Sequence, residues 1–143
     1  MTEPDRGSVL LLFPAAFMIV LVLGALAIDA AAVFLDQREL AAAAGAAAND
    51  AATLGLAHKR LRHDGELWLD PVRVTEAVEA SLDRRGVLDS LLEPPEIVVL
   101  GGSRVEVTLV AHADYVIAPA LPGDRSGRTV RATVGADAVL DDG

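Results

Sequence analysis

Three histidines are the residues of this chain with the most versatile chemistry, and two of them are close in sequence. His58 and His63 are five residues apart and are followed by Asp64 and Glu66. A helical metal site needs ligands at i and i+4, on one face of the helix, and a spacing of five does not provide this. We therefore expect solvated surface side chains here rather than a metal site, and His112 is distant in sequence from both.

The other candidates for catalysis are equally isolated. None of the five serines stands in the G-x-S-x-G pattern of a nucleophile elbow, and Gly101-Gly102 lacks the rest of a phosphate-binding loop. The chain has no cysteine, which excludes disulfides, thiolate zinc sites and cysteine nucleophiles. The sequence therefore predicts a protein that is not an enzyme and that has no catalytic residue, metal, cofactor or small-molecule substrate.

The charge balance argues against nucleic acid as a partner. From residue 36 onward there are 18 acidic residues against 11 basic ones, and the basic residues form no cluster that could follow a phosphate backbone. Only Trp68 and Tyr115 in that part of the chain could stack on a base. We expect a soluble, acidic domain that makes its contacts with other proteins.

An uncharged apolar segment near the start of the chain points to a membrane. Ser8 to Ile28 is 21 residues, which as a helix measures about 31 Å and matches a hydrocarbon core of about 30 Å. Almost two more apolar turns continue to Leu35. The prediction is a short cytoplasmic tail at 1–7, a transmembrane helix at 8–35 and, because the tail is so short, a C-terminal domain outside the cytoplasmic membrane.

Cleavage of this segment as a secretory signal is the alternative. Ala25-Leu26-Ala27 and Ala30-Ala31-Ala32 both have the small residues of a signal-peptidase site, so a secreted or anchored non-catalytic binding module is the competing hypothesis. The apolar core of a signal peptide is usually about 7–15 residues long, and the longer segment here favours a retained anchor.

Asp29 interrupts the apolar segment near its outer end. A carboxylate at this depth is unfavourable unless it reaches the interface or faces a partner. Two interpretations stay open: Asp29 marks the membrane surface, or it contacts a partner protein.

The segment at 36–62 is rich in alanine, the strongest helix former, and we expect one long helix from Ser8 to about Ala57. Small side chains such as Ala41, Ala44 and Ala48 let another helix or a sheet approach closely. A packed face is favoured over an exposed stalk because few polar residues cover this segment.

The remainder, 63–143, is expected to form a small α+β domain. Asp70 can cap an amphipathic helix that begins at Pro71. Alternating apolar and polar residues on both sides of Gly101-Gly102, and again before the C-terminus, predict a three-stranded antiparallel sheet with one apolar face. Such a sheet needs a cover, and the two helices are the available ones.

The first third of the chain resembles the TadE/TadG-like proteins of the tight-adherence (Flp) pilus machinery. The resemblance covers about residues 6–56 and depends on the order and spacing of several short motifs. These motifs are Arg6-Gly7-Ser8, Phe13, Ala27-Ile28-Asp29, Gln37-Arg38-Glu39-Leu40 and Ala46-Ala47-Ala48-Asn49-Asp50-Ala51-Ala52.

The resemblance implies a pilin-like fold and a role as a pseudopilin, a minor pilin or an anchored assembly component. Its partners would be the membrane and other pilus-assembly proteins or pilins. It implies prepilin-type cleavage between Gly7 and Ser8, and contacts through the membrane helix around Asp29 and through the alanine face. The chain departs from the family at Leu12, where a glutamate is usual. An apolar leucine cannot pair with the free amino terminus of a neighbouring subunit as that carboxylate does.

Overall fold

The computed structural model describes residues 6–56, 68–120 and 127–139. His58 and His63 lie outside the described residues. The elements, in chain order, are helix α1 (Arg6–Leu54), helix α2 (Pro71–Arg84), strands β1 (Glu96–Leu100), β2 (Arg104–Asp114) and β3 (Gly127–Asp137), and two short 3₁₀ turns at Leu88–Ser90 and Ala118–Ala120. The expected α+β fold, with a long apolar helix, a shorter helix and a three-stranded antiparallel sheet, is confirmed.

The sheet has the order β1-β2-β3, and both pairs are antiparallel. Gly101 and Gly102 form the first turn with φ angles of 58° and 77°, a region that glycine adopts without the strain of a Cβ atom. In β2, alternate residues from Val105 to Ala113 are buried on the face that meets the helices. The predicted hairpin and the one-sided apolar pattern are both present.

The core forms where the second half of α1 crosses the sheet and α2. Alanines of α1 supply much of this core, and Ala44, Ala47, Ala48 and Ala51 have no exposed surface. A Cβ atom added at Gly45 would lie 3.4 Å from Val134 of β3. Small residues bring the helix close to the sheet, and the alanine-rich segment therefore contributes to the core rather than forming an exposed stalk.

Helix α2 begins as its sequence indicates. The Asp70 side chain accepts a hydrogen bond from the Val72 backbone N–H, and Pro71 occupies the first helical position. Val74, Val78 and Leu82 are fully buried.

A polar contact joins the two helices. The Ser81 hydroxyl donates to Asp50 of α1 at 2.6 Å, and Arg84 forms an ion pair with the same carboxylate at 3.2 Å. Both helices are thereby aligned on the same side of the sheet.

We predict that Ala48→Leu lowers the free energy of unfolding by about 1–3 kcal/mol, because the added atoms would have to enter a filled core. Ala42→Leu, on the exposed side of the same helix, should change it by less than about 0.5 kcal/mol. Denaturant unfolding of the domain, followed through the fluorescence of Trp68, the single tryptophan, measures both. Equal stability of the two variants would contradict the packing of this alanine face.

Candidate functional site

Asp29 lies at the point where helix α1 changes its surroundings. The large apolar side chains between Leu12 and Ile28 are exposed, and from Asp29 onward one face of the helix is covered by the domain. Asp29 itself is only 6% exposed. It is the first residue of the helix that the folded domain covers, in the described part of the chain where exposure is known.

The Asp29 carboxylate is bound by the chain segment that follows β2. One oxygen, Oδ1, accepts the backbone N–H groups of Val116 and Ile117, both at 2.7 Å, and Oδ2 accepts that of Ala118 at 2.9 Å. The three donors are consecutive because the chain turns after β2 and enters a 3₁₀ turn at Ala118. Successive N–H groups in such a turn form a concave site for an anion.

This contact accounts for a carboxylate inside an apolar segment. A buried charge is strongly unfavourable unless hydrogen bonds satisfy it. Three N–H donors occupy both oxygens of Asp29, and in return the carboxylate satisfies three backbone groups that leave the sheet ladder after β2. The domain is therefore joined to the helix by a polar contact between residues that are 87 to 89 positions apart in sequence.

A cleft of about 500 Å³ opens beside this contact, between α1 and the ends of β2 and β3. Its lining residues are Leu26, Asp29, Ala30, Val33, Tyr115, Ala118 and Arg128. Four of these follow each other along one face of α1 at helical spacing. The cleft therefore borders both the domain and the bare part of the helix, the exposed apolar stretch from Leu12 to Ile28.

The bare part of α1 has the dimensions of a membrane span. Its large apolar side chains are exposed from Leu12 to Ile28, where exposure is known. The uncharged stretch at 7–28 measures about 33 Å as a helix. By length and composition this helix could cross a membrane. Phe34, Leu35 and Val116, each at least 61% exposed, add apolar surface around the Asp29 contact.

The predicted contact residues are used inside the chain. Ala44 and Ala48 have no exposed surface, and Ala41 is partly buried against the same core. Ala44 and Ala48 pack within the chain, where the sheet and α2 cover them. Asp29 likewise binds its own domain, and a further contact of Asp29 with the membrane or a partner stays a prediction.

The predicted prepilin-type cleavage site lies within a helix. Gly7 and Ser8 lie in the first turns of α1, and their side chains are outside the described part. Processing between them stays a prediction.

A second, polar groove lies farther from the bare helix, between α1, α2 and the sheet. Asp36, Glu39, Arg85 and His112 are among its lining residues, and it measures about 230 Å³. His112 Nε2 lies 3.5 Å from Asp114. Across the ranges that the structure describes, no three histidine or acidic side chains are grouped as a metal site requires.

Sequence reasoning missed the backbone N–H groups that donate hydrogen bonds to Asp29. Backbone N–H groups carry no residue-type signal, and "YVIAP" reads as the end of a strand. The unfavourable position of Asp29 was the available indication that a partner was needed. Comparisons of the chain with family models, with curated proteins and with solved structures find no match.

We predict that Asp29→Ala frees the loop at 116–118. With the carboxylate gone, the three N–H groups lose their acceptor, and their hydrogen exchange should approach that of neighbouring exposed loop amides. Asp36→Ala is the matched control. Asp36 lies two turns later on the same helix, and the three hydrogen bonds to this loop are accepted by Asp29 and not by Asp36. Unchanged exchange at Val116, Ile117 and Ala118 in Asp29→Ala would show that the carboxylate does not hold the loop.

Proposed function

We propose that this chain is a single-pass protein of the cytoplasmic membrane that holds a small α+β domain against the outer surface and acts, like a pseudopilin, in assembly of a tight-adherence pilus. The observation that carries the membrane part is one continuous helix, exposed and apolar in its first half and packed under the sheet in its second half. An exposed apolar surface of this length needs a cover, and lipid provides one.

The pilus part is supported by the sequence resemblance together with the fold. A long helix that emerges from beneath an antiparallel sheet is the pilin-like plan that the resemblance implies. The acid of the Ala-Ile-Asp motif and the acid of the alanine-rich motif are Asp29 and Asp50, and both join α1 to the domain. These motif positions would then serve the docking of domain on helix, and the protein would act through contacts on other surfaces.

Secretion after cleavage is less compatible with these contacts. The helix is continuous through both small-residue sites. Cleavage after Ala32 would remove Asp29 from the domain and release the loop that it binds. Cleavage after Ala27 would retain Asp29 but place it at a fraying chain end.

The absence of cysteine makes a topology test direct. Asp83→Cys places a single thiol on the exposed side of α2. We expect it to react with a membrane-impermeant maleimide in intact spheroplasts, because the domain lies outside. Ala48→Cys, in the buried core, should react only after denaturation and serves as the control for an intact fold.

Labelling of Asp83→Cys only after lysis would place the domain inside and contradict the proposed orientation. Recovery of the domain from the medium with an N-terminus at Ile28 or Val33 would favour the secreted module.

The pilus role is tested in the cell. Deletion of the gene should reduce surface pili counted by electron microscopy, and the intact gene supplied in trans should restore them. Pili unchanged in number would contradict the pilus role and leave the membrane topology standing. A mature N-terminus at Ser8 would identify a processed minor pilin, and one at Met1 an anchored assembly component.

A further inference from the structure

The cleft beside Asp29 is continuous with the surface that the bilayer would cover. Leu26 and Ala30 are exposed on one face of α1, and Val33, on the same face, is buried under the domain. A molecule in the cleft would therefore contact both the apolar helix and the domain. The volume of about 500 Å³ lies within the range of ligand sites, about 300–1,000 Å³.

Arg128 is the basic residue that lines this cleft. In β3, Val130, Ala132 and Ala136 are buried on the helix side, and Arg128 belongs to the same alternate row, at the end of the strand nearest Asp29. Its guanidinium forms no hydrogen bond or ion pair with any residue that the structure describes. Its side chain is exposed, so five N–H donors at the cleft are open to solvent and have no acceptor among the described residues.

The Asp29 carboxylate is not available to bind a ligand in the cleft. Its two oxygens already accept three N–H groups of the loop. Arg128, which is exposed, is therefore the charged group of the cleft that remains available to a ligand. A planar guanidinium recognises phosphate by two parallel hydrogen bonds. Tyr115, partly buried at the domain side of the cleft, has the amphipathic ring that is enriched at membrane surfaces.

We propose that this cleft binds one membrane phospholipid, with its phosphate on Arg128 and an acyl chain along Leu26. The proposal depends on the membrane anchoring proposed above. A soluble phosphate compound would bind the guanidinium but would leave the exposed apolar side chains of Leu26 and Ala30 uncovered. A phospholipid of the outer leaflet covers both, because its headgroup lies at the height of the domain base and its chains lie against the span.

The test uses the full-length protein reconstituted in vesicles of equal parts phosphatidylethanolamine and phosphatidylglycerol. The protein is then extracted in mild detergent, and native mass spectrometry counts the phospholipids retained per chain. We expect one retained phospholipid, and occupancy reduced about five-fold in Arg128→Gln, the change that loss of one interfacial cation–phosphate contact produces. Arg131→Gln is the matched control, since Arg131 is exposed on the opposite face of the same strand.

Arg128→Gln with wild-type occupancy would overturn the site, as would an equal decrease in Arg131→Gln, which would indicate general charge attraction. Displacement by inorganic phosphate would identify a free anion as the occupant and overturn the lipid assignment. Vesicle flotation distinguishes the two proposals. A protein that floats but retains no lipid through Arg128 contradicts only the lipid site, whereas one that does not float contradicts both.

Discussion

The contact between the Asp29 carboxylate and three consecutive backbone N–H groups decides how this protein is arranged. Without it, an acidic side chain would interrupt an apolar helix, and a loop would leave the sheet with unsatisfied donors. With it, each group satisfies the other at 2.7–2.9 Å. The base of the domain is thereby tied to the helix at Asp29, the first charged residue after the uncharged segment 7–28, and that segment and the domain share one continuous helix.

The alanine-rich segment performs the corresponding task farther along the helix. Asp29 fixes one end of the contact between α1 and the domain, and fully buried alanines such as Ala44 and Ala48 let the helix lie close to the sheet over the rest. Asp50, Ser81 and Arg84 add a polar contact on the α2 side.

This arrangement leaves distinct surfaces for outside contacts. The alanine face is covered by the chain's own domain, so partners in an assembly would have to use the bare apolar helix, the outer sheet face or the polar groove near His112. The cleft at Arg128 lies at the base of the domain, where protein, lipid headgroups and the span would meet. If lipid occupies it, the height and tilt of the domain above the membrane would depend on that contact.

The sequence by itself determined the elements of this fold. Alanine content and apolar length specify α1, the Asp70-Pro71 step starts α2, and the period-two pattern about Gly101-Gly102 specifies the hairpin, because these signals are local. The packing of the alanine face was expected from the sequence, whereas the tertiary structure alone decided that Asp29 is bound within the chain. Its donors are backbone amides 87 to 89 residues away, and such amides have no residue-type signature. Likewise, Arg128 and Leu26 line one cleft only because β3 begins beside the helix, a proximity that no local pattern encodes.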